Sequence, residues 1–139
     1  MLQYLRSASN DSVISPQEFL RLGSWVRCER PHEEEVSQLL TLGLDEDLIS
    51  DALDPHEVPR IEFDNDWTYL IARLPDTDDD FNDFTTPILF CLNKDYLVTL
   101  SRDSLGRLWQ PFIDKMHLRT DRQIELLVVM IEAISMQYQ

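Results

Sequence analysis

Two runs of five residues, Ile88-Leu89-Phe90-Cys91-Leu92 and Tyr96-Leu97-Val98-Thr99-Leu100, flank the polar turn Asn93-Lys94-Asp95. Branched and aromatic residues bounded by turn formers predict a β-hairpin, which commits the chain to a sheet. More strand-like sequence lies upstream. Trp67-Thr68-Tyr69-Leu70-Ile71-Ala72-Arg73-Leu74 is rich in aromatic and branched residues, Arg60-Ile61-Glu62-Phe63 alternates polar with apolar, and Asn65-Asp66 supplies the turn between them. Trp25-Val26-Arg27-Cys28 also alternates. Residues 1–7 and 12–14 predict two short strands about an Asn10-Asp11 turn. Residues 75–86 form an acidic connection before the hairpin.

Helical signals interleave with these strands. Ser15-Pro16-Gln17-Glu18 combines a capping serine, a proline at the first helical position and a nearby acid, predicting one or two helical turns over residues 16–22 that end at Gly23. Arg30-Pro31-His32-Glu33-Glu34-Glu35 opens a helix with Val36, Leu39 and Leu40 at helical spacing and Gly43 at its C-terminal end. Residues 45–53 form a second helix that sets Leu48, Ile49, Ala52 and Leu53 on one face, and Pro55 ends it. Residues 105–116 predict an amphipathic helix with Leu108, Phe112 and Met116 at intervals of four. Thr120 then serves as N-cap for a helix whose stripe is Ile124, Leu127, Val128, Ile131, Ile134 and Tyr138. Leu126, Val129, Met130 and Ala133 are apolar as well, so packing on one side leaves hydrophobic surface over and a second contact is needed. The pattern reaches Gln139 without a stop signal, so the helix is expected to continue past it. Helices and strands without a strict βαβ rhythm predict an α/β (α+β) fold, a central mixed sheet flanked by helices.

Charge narrows the partners. The 139 residues carry 26 Asp+Glu against 12 Lys+Arg, a formal net charge of -14. Such a surface opposes a phosphate backbone, whose binding depends on cationic side chains, so nucleic acid is excluded as a partner. Anionic headgroups are disfavoured too, whereas metal cations and basic surfaces are favoured. Cys28 and Cys91 stand in no ligand-like spacing and are expected as buried thiols of a reducing compartment. No secretory signal opens the chain. Its longest aliphatic run, residues 126–131, is far short of the roughly twenty residues a membrane helix needs.

Catalytic motifs are missing as well. There is no Gly-x-Ser-x-Gly elbow, and three glycines leave little material for a phosphate loop. His32, His56 and His117 share no zinc spacing with one another or with the cysteines. Asp76-Thr77-Asp78-Asp79-Asp80 opens like a calcium loop, but Phe81 stands where glycine is required and Pro87 where the bidentate glutamate is required. That run is expected as a solvated connection. Trp25, Trp67 and Trp109 are expected as core or interface anchors. No enzyme is predicted. The most informative polar feature is the helix at residues 45–53, where Asp47, Asp51 and Asp54 line one face at spacings of four and three. Like charges so placed cost about 0.2–0.5 kcal/mol per pair, which a bound cation removes. Magnesium takes one or two carboxylates and keeps several waters, so a sparse set suffices where a second chain adds an oxygen.

The order of segments resembles a known family. Trp25-Val26-Arg27 leading to Pro31-His32-Glu33-Glu34-Glu35, Gly43-Leu44-Asp45 to Asp51-Ala52-Leu53, Val58-Pro59-Arg60-Ile61-Glu62-Phe63, Trp67-Thr68-Tyr69-Leu70 and the Asn93 to Thr99 hairpin together resemble the cytoplasmic N-terminal domain of CorA-type magnesium transporters. The likeness runs from Trp25 to the end. It implies that residues 1–139 are a single cytoplasmic regulatory domain on the inner side of the cell membrane, with a long stalk helix beginning near Thr120. It also implies that the chain is a soluble fragment, cut before the rest of the stalk and two membrane helices. The family assembles as a homopentamer around a pore, and its Gly-Met-Asn signature is absent here. In the family an acidic pair on the helix matching residues 45–53 faces a stalk carboxylate of the neighbouring subunit, and divalent ions bridge them. Asp51 matches the second member of that pair, and Ser50 stands where the first would be. The segment Val58-Pro59-Arg60 lacks the family's leading basic residue.

The resemblance therefore implies a domain that senses magnesium, or cobalt, through ions held between subunits by Asp51 with Asp47 or Asp54, and bound weakly or not at all by the isolated domain. The alternative is a stand-alone acidic interaction module whose apolar C-terminal helix docks on a partner protein.

Overall fold

The computed structural model describes residues 1–77 and 83–138. In chain order the elements are β1 (Leu2–Arg6), β2 (Ser15–Gln17), β3 (Trp25–Glu29), α1 (Glu33–Thr41), α2 (Glu46–Ala52), β4 (Arg60–Asp64), β5 (Trp67–Thr77), β6 (Asp83–Leu92), β7 (Leu97–Ser101), α3 (Gly106–Trp109) and α4 (Gln123–Met136). The strands form one mixed sheet in the order β2-β1-β3-β7-β6-β5-β4. Pairings are antiparallel except β3 with β7, where Trp25 lies opposite Leu97 and Glu29 opposite Ser101.

Side chains alternate across the strands and build two apolar layers. Val26 and Cys28 of β3, Leu89 and Cys91 of β6, and Val98 and Leu100 of β7 pack with Leu39, Leu48, Ile49 and Ala52 of α1 and α2. On the opposite face Trp25, Ile88, Phe90 and Leu97 pack with Leu108, Trp109, Phe112, Leu126, Met130 and Ile134. All three tryptophans are buried. Trp25 and Trp109 meet edge to face with centroids 5.3 Å apart, and Trp109 meets Phe112 at 5.4 Å, geometries that suit ring quadrupoles. Both cysteines are buried and free. Burial pushes the Cys28 thiol up to about 12 and raises that of Cys91 as well, so neither is a nucleophile at neutral pH.

The helix starts with the strongest local signals form as predicted. His32 caps α1 in a reciprocal box, its Nδ1 accepting from the Glu35 amide while the Glu35 carboxylate accepts from the His32 amide. Asp45 caps α2, one carboxylate oxygen accepting from the amides of Asp47 at 2.8 Å and Leu48 at 3.1 Å. Gly43, at φ +100°, turns the chain between the two helices. The β6–β7 hairpin forms around Asn93, whose side-chain oxygen accepts from the amides of Asp95 and Tyr96.

Elsewhere the structure corrects the sequence reading. No helix forms over residues 16–22: Ser15, Pro16 and Gln17 pair with Arg6, Leu5 and Tyr4 as edge strand β2, a position where the missing proline donor costs no ladder bond. A helix there would have had little to bury, since Phe19 and Leu22 are exposed. The expected strand at 12–14 is displaced onto β2, and Ile14 instead bridges Ile113. The expected loop at 75–86 is partly sheet, because β5 runs on to Thr77 and β6 begins at Asp83. Residues 78–82 of the acidic run lie outside the described residues.

The helix expected over 105–116 stops at Trp109. Pro111 removes a helical donor and crowds the preceding turn, and Asp114 takes φ +64° and donates its amide to the Ile14 carbonyl. Thr120 is not a cap. Arg122 holds that position without a side-chain bond, while buried Thr120 donates its hydroxyl to the Gly23 carbonyl at 2.6 Å and accepts from the Ser7 amide at 2.9 Å. Gly23 sits at φ +83°, and a Cβ there would stand 2.8 Å from that of Asp121. The expected stripe of α4 is largely rotated outward. Leu126, Met130 and Ile134 are buried, whereas Ile124 is 74% exposed and Val128 and Ile131 also face out.

Candidate metal-binding face

α2 is positioned from both ends. Its N-cap residue Asp45 donates its amide to the hydroxyl of buried Tyr69 at 3.0 Å, and burial raises the pKa of that phenol above its ordinary value. Leu48, Ile49 and Ala52 turn onto the sheet. The side away from the sheet carries the predicted residues: Asp47, Ser50 and Asp54 are exposed and Asp51 is half-buried.

Each aspartate has a different environment. Asp54 accepts the His56 amide at 2.9 Å, closing the turn after the helix. Asp51 accepts from Arg60 of β4, with Nη2 2.6 Å from Oδ2. Asp47 lies one turn before Asp51 on open surface. Among the described residues, no three His, Cys, Asp or Glu side chains converge closely enough to hold a metal ion. The donor chemistry nevertheless fits a hard divalent cation, because these are oxygen ligands within reach of water. The number of donors in one chain does not complete a coordination shell, so this face fits such an ion only as a shared site.

Arg60 was not among the residues singled out from the sequence. Its guanidinium meets three carboxylates from three segments: Asp51 of α2, Glu57 of the following loop, and Glu62 of β4 with Nε 2.8 Å from Oε1. The bond to Glu62, followed by that to Asp51, raises the pKa of the guanidinium further, against some desolvation. Arg73 of β5 fixes the same loop, donating to the carbonyls of Glu57 at 2.6 Å and Pro55 at 2.9 Å. The signal for Arg60 was present: period-two alternation puts residues 60 and 62 on one face of β4. Which helix that face meets is decided by the crossover between α2 and β4.

Two other polar groupings lie away from this face. Buried Glu29 is bound by Arg27 through both carboxylate oxygens and also accepts the Leu105 amide at 2.7 Å, tying β3 to the segment that opens α3. The N-terminal ammonium lies 2.9 Å from Glu35 Oε1. Desolvation raises the Glu35 pKa, but the bond from the ammonium and that from His32 outweigh it, so this carboxyl titrates below its ordinary range. An open groove of about 290 Å³ beside it is lined by Leu2, Tyr4, His32, Glu34, Glu35 and Gln38. His56 and His117 are exposed and belong to neither grouping.

A mixed sheet with two short helices on one face and a terminal helix on the other defines the α/β class of soluble domain solved for CorA proteins. The fold matches the soluble domain of CorA from Methanocaldococcus jannaschii with a TM-score of 0.78 at 23% identity, covering 97% of this chain and 56% of that one. It matches the complete CorA magnesium transporter of the same organism with a TM-score of 0.73 at 22% identity, over 99% and 45% of the two chains. The ZntB cytoplasmic domain from Vibrio parahaemolyticus follows with 0.68 at 15% identity, over 99% and 58%. At these identities the likeness is one of fold.

In sequence, the chain is 28% identical over 118 residues to the cobalt/magnesium transport protein CorA of M. jannaschii, covering 78% of this chain and 36% of that relative. It thus spans about a third of that relative's length. The profile of the CorA-like Mg2+ transporter protein family matches residues 23–138, and the chain belongs to that family. No described helix is long and apolar enough to cross a membrane.

Proposed function

We propose that this chain is the N-terminal cytoplasmic domain of a CorA-like divalent-cation transporter and regulates it without itself being an enzyme. In this reading the membrane-spanning part lies elsewhere in a longer protein, the parent is a homopentamer, and magnesium or cobalt is the ion both carried and sensed. The family match over residues 23–138 carries the reading. The sensing face is that of α2, with Asp51 contributing a carboxylate and Asp47 or Asp54 assisting, completed by oxygens of a neighbouring subunit.

The mechanism is linkage. An ion that binds only the closed, symmetric assembly stabilises it by RT ln(1 + [ion]/Kd), about 2.7 kcal/mol per site at a hundredfold excess over Kd. When the ion concentration falls, that term disappears and the subunits shift. The half-exposed position of Asp51, on the side of α2 turned from the core, supports access by a second chain.

The test uses the assembled parent protein and limited proteolysis across a magnesium titration. Protection is expected to rise with magnesium, and Asp51→Ala is expected to raise the concentration for half protection about tenfold, the loss of one charge-assisted contact of about 1.4 kcal/mol. An unchanged midpoint in Asp51→Ala, Asp47→Ala and Asp54→Ala would remove the α2 face from the mechanism. The second reading, an acidic interaction module, is favoured by one observation, the outward apolar residues Ile124, Val128 and Ile131 of α4. It requires a parent protein with no membrane spans.

A further inference from the structure

The sheet ends differently at its two edges. β2 is three residues long with Pro16 at its centre, so it offers a further strand little to pair with. β4, at the other edge, is five residues long, contains no proline, and has no strand beyond it among the described residues. The Asn65-Asp66 turn leaves Asp64 directly opposite Trp67, and in a two-residue hairpin the residues flanking the turn exchange both backbone bonds. Bonded and non-bonded pairs then alternate. Asp64, Glu62 and Arg60 therefore turn their amides and carbonyls to β5, while Ile61 and Phe63 turn theirs to the open edge. The same two residues expose their side chains, Ile61 by 61% and Phe63 by 78%. Leu70, the cross-strand neighbour of Ile61, packs partly buried against the α4 layer, so apolar surface continues from the core to this edge. Sheet edges are ordinarily blunted by proline, lysine or a bulge. The unbroken register of β4 with β5 contains none of these.

We propose that β4 is a docking edge for an extended segment of another protein, one that alternates apolar with basic residues. Such a segment adds a strand to the sheet, taking up the free amides and carbonyls of Ile61 and Phe63. Its apolar side chains lie across from Ile61 and Phe63, and its alternate residues fall on the other face of the sheet beside Glu62 and Asp64. Charge selects this partner over a second copy. In the strand and its turn Glu62, Asp64 and Asp66 outnumber Arg60, whose guanidinium is already engaged by Asp51, Glu57 and Glu62. Two copies would bring a net charge of -14 each to the contact, and an antiparallel pairing centred on Glu62 would set that carboxylate opposite its own copy. Like charges directly opposite weaken a strand pair, whereas lysine or arginine opposite Glu62 and Asp64 strengthens it. No ion on α2 is needed for this docking.

The experiment titrates the isotope-labelled 139-residue chain with a synthetic peptide of about eight residues that alternates lysine with valine. A control peptide of the same composition gathers its lysines and valines into two blocks. Backbone hydrogen exchange is followed residue by residue by NMR. The alternating peptide, at a tenfold excess over its Kd, is expected to slow exchange at the amides of Ile61 and Phe63 about tenfold. Exchange at Glu62, whose amide already faces β5, is expected to stay the same. The blocked peptide keeps the charge without the alternation and is expected to protect neither amide. Phe63→Lys is expected to weaken binding of the alternating peptide about tenfold, by losing apolar contact and adding like charge. Ile61→Pro removes one outward donor without removing a bond to β5 and is expected to weaken binding as well. Should it disturb β4, Phe63→Lys, at an exposed position, carries the comparison.

Equal binding of the two peptides, or binding that leaves Ile61 and Phe63 unprotected, reduces the effect to charge attraction and overturns strand addition. Binding indifferent to Phe63→Lys removes β4 from the contact. Protection of Ile61 and Phe63 that grows with protein concentration in the absence of peptide makes the occupant a second copy and overturns the basic partner. No binding of the alternating peptide overturns the proposal outright. None of these outcomes bears on magnesium at α2, which the proteolysis of the parent judges separately.

Discussion

Single residues gain their roles here from neighbours distant in sequence. Thr120 looks like a helix cap, yet its hydroxyl joins Ser7 and Gly23, contacts that lie 113 and 97 residues away along the chain. Glu35 sits in a helix start where acids are favoured by the dipole, yet what sets its charge is the N-terminal ammonium 2.9 Å away. A carboxyl whose folded pKa lies below its unfolded value near 4.3 leaves the unfolded chain binding more protons in that window. Stability therefore rises with pH there: the contribution is complete above the unfolded value and is lost as pH falls through the folded one. Glu35→Gln is expected to flatten the acid limb of the stability profile, measured by urea unfolding between pH 3 and 6. A limb unchanged in steepness counts against this role. Asp51 was named from the sequence, but its partner Arg60 was not, because ion pairing across β4 and α2 has no local signature.

Among the elements, α4 shows most directly how a helix can be right in type and wrong in orientation. Its residues are apolar nearly all round, so periodicity alone offers two stripes that differ little in hydrophobicity. The sheet decides between them. Gln123 donates to the Lys94 carbonyl at 3.1 Å and Tyr138 to the Arg73 carbonyl at 2.8 Å, which fixes the rotation with Met130 inward. Met130→Ala is expected to cost about 2–5 kcal/mol by leaving a cavity under the helix. Val128→Ser, on the outward stripe, is expected to stay within about 0.5 kcal/mol. Chemical denaturation of the two variants separates these outcomes, and a larger loss in Val128→Ser than in Met130→Ala would return the helix to the orientation predicted from sequence. The first segment of helix-like sequence, at Ser15-Pro16, failed for a related reason. Its cap signal is local and weak, and pairing with β1 satisfies the same backbone groups while completing the sheet edge.

At the scale of the whole molecule, charge opposes compactness. A net charge of -14 on 139 residues repels itself most strongly at low ionic strength, where the screening length is about 30 Å at 0.01 M against about 10 Å at 0.1 M. The thermal midpoint is expected to rise between those salt concentrations. A midpoint that falls would mean that favourable ion pairs such as those of Arg60 dominate. Read alone, the amino-acid order settled the elements whose signals are contained within a few residues: the capped helices α1 and α2, the Asn93 hairpin, the Trp67 strand, the buried cysteines and the acidic face of α2. It was also enough to show the family resemblance. Tertiary structure alone decided the parallel pairing of β3 with β7, the outward stripe of α4, the strut at Thr120 and the pairing of Arg60 with Asp51. The division has one physical cause. Caps, turns and periodicity act over three or four residues, whereas these remaining choices lie between nearly equal local options and are tipped by contacts between segments that meet only once the sheet has assembled.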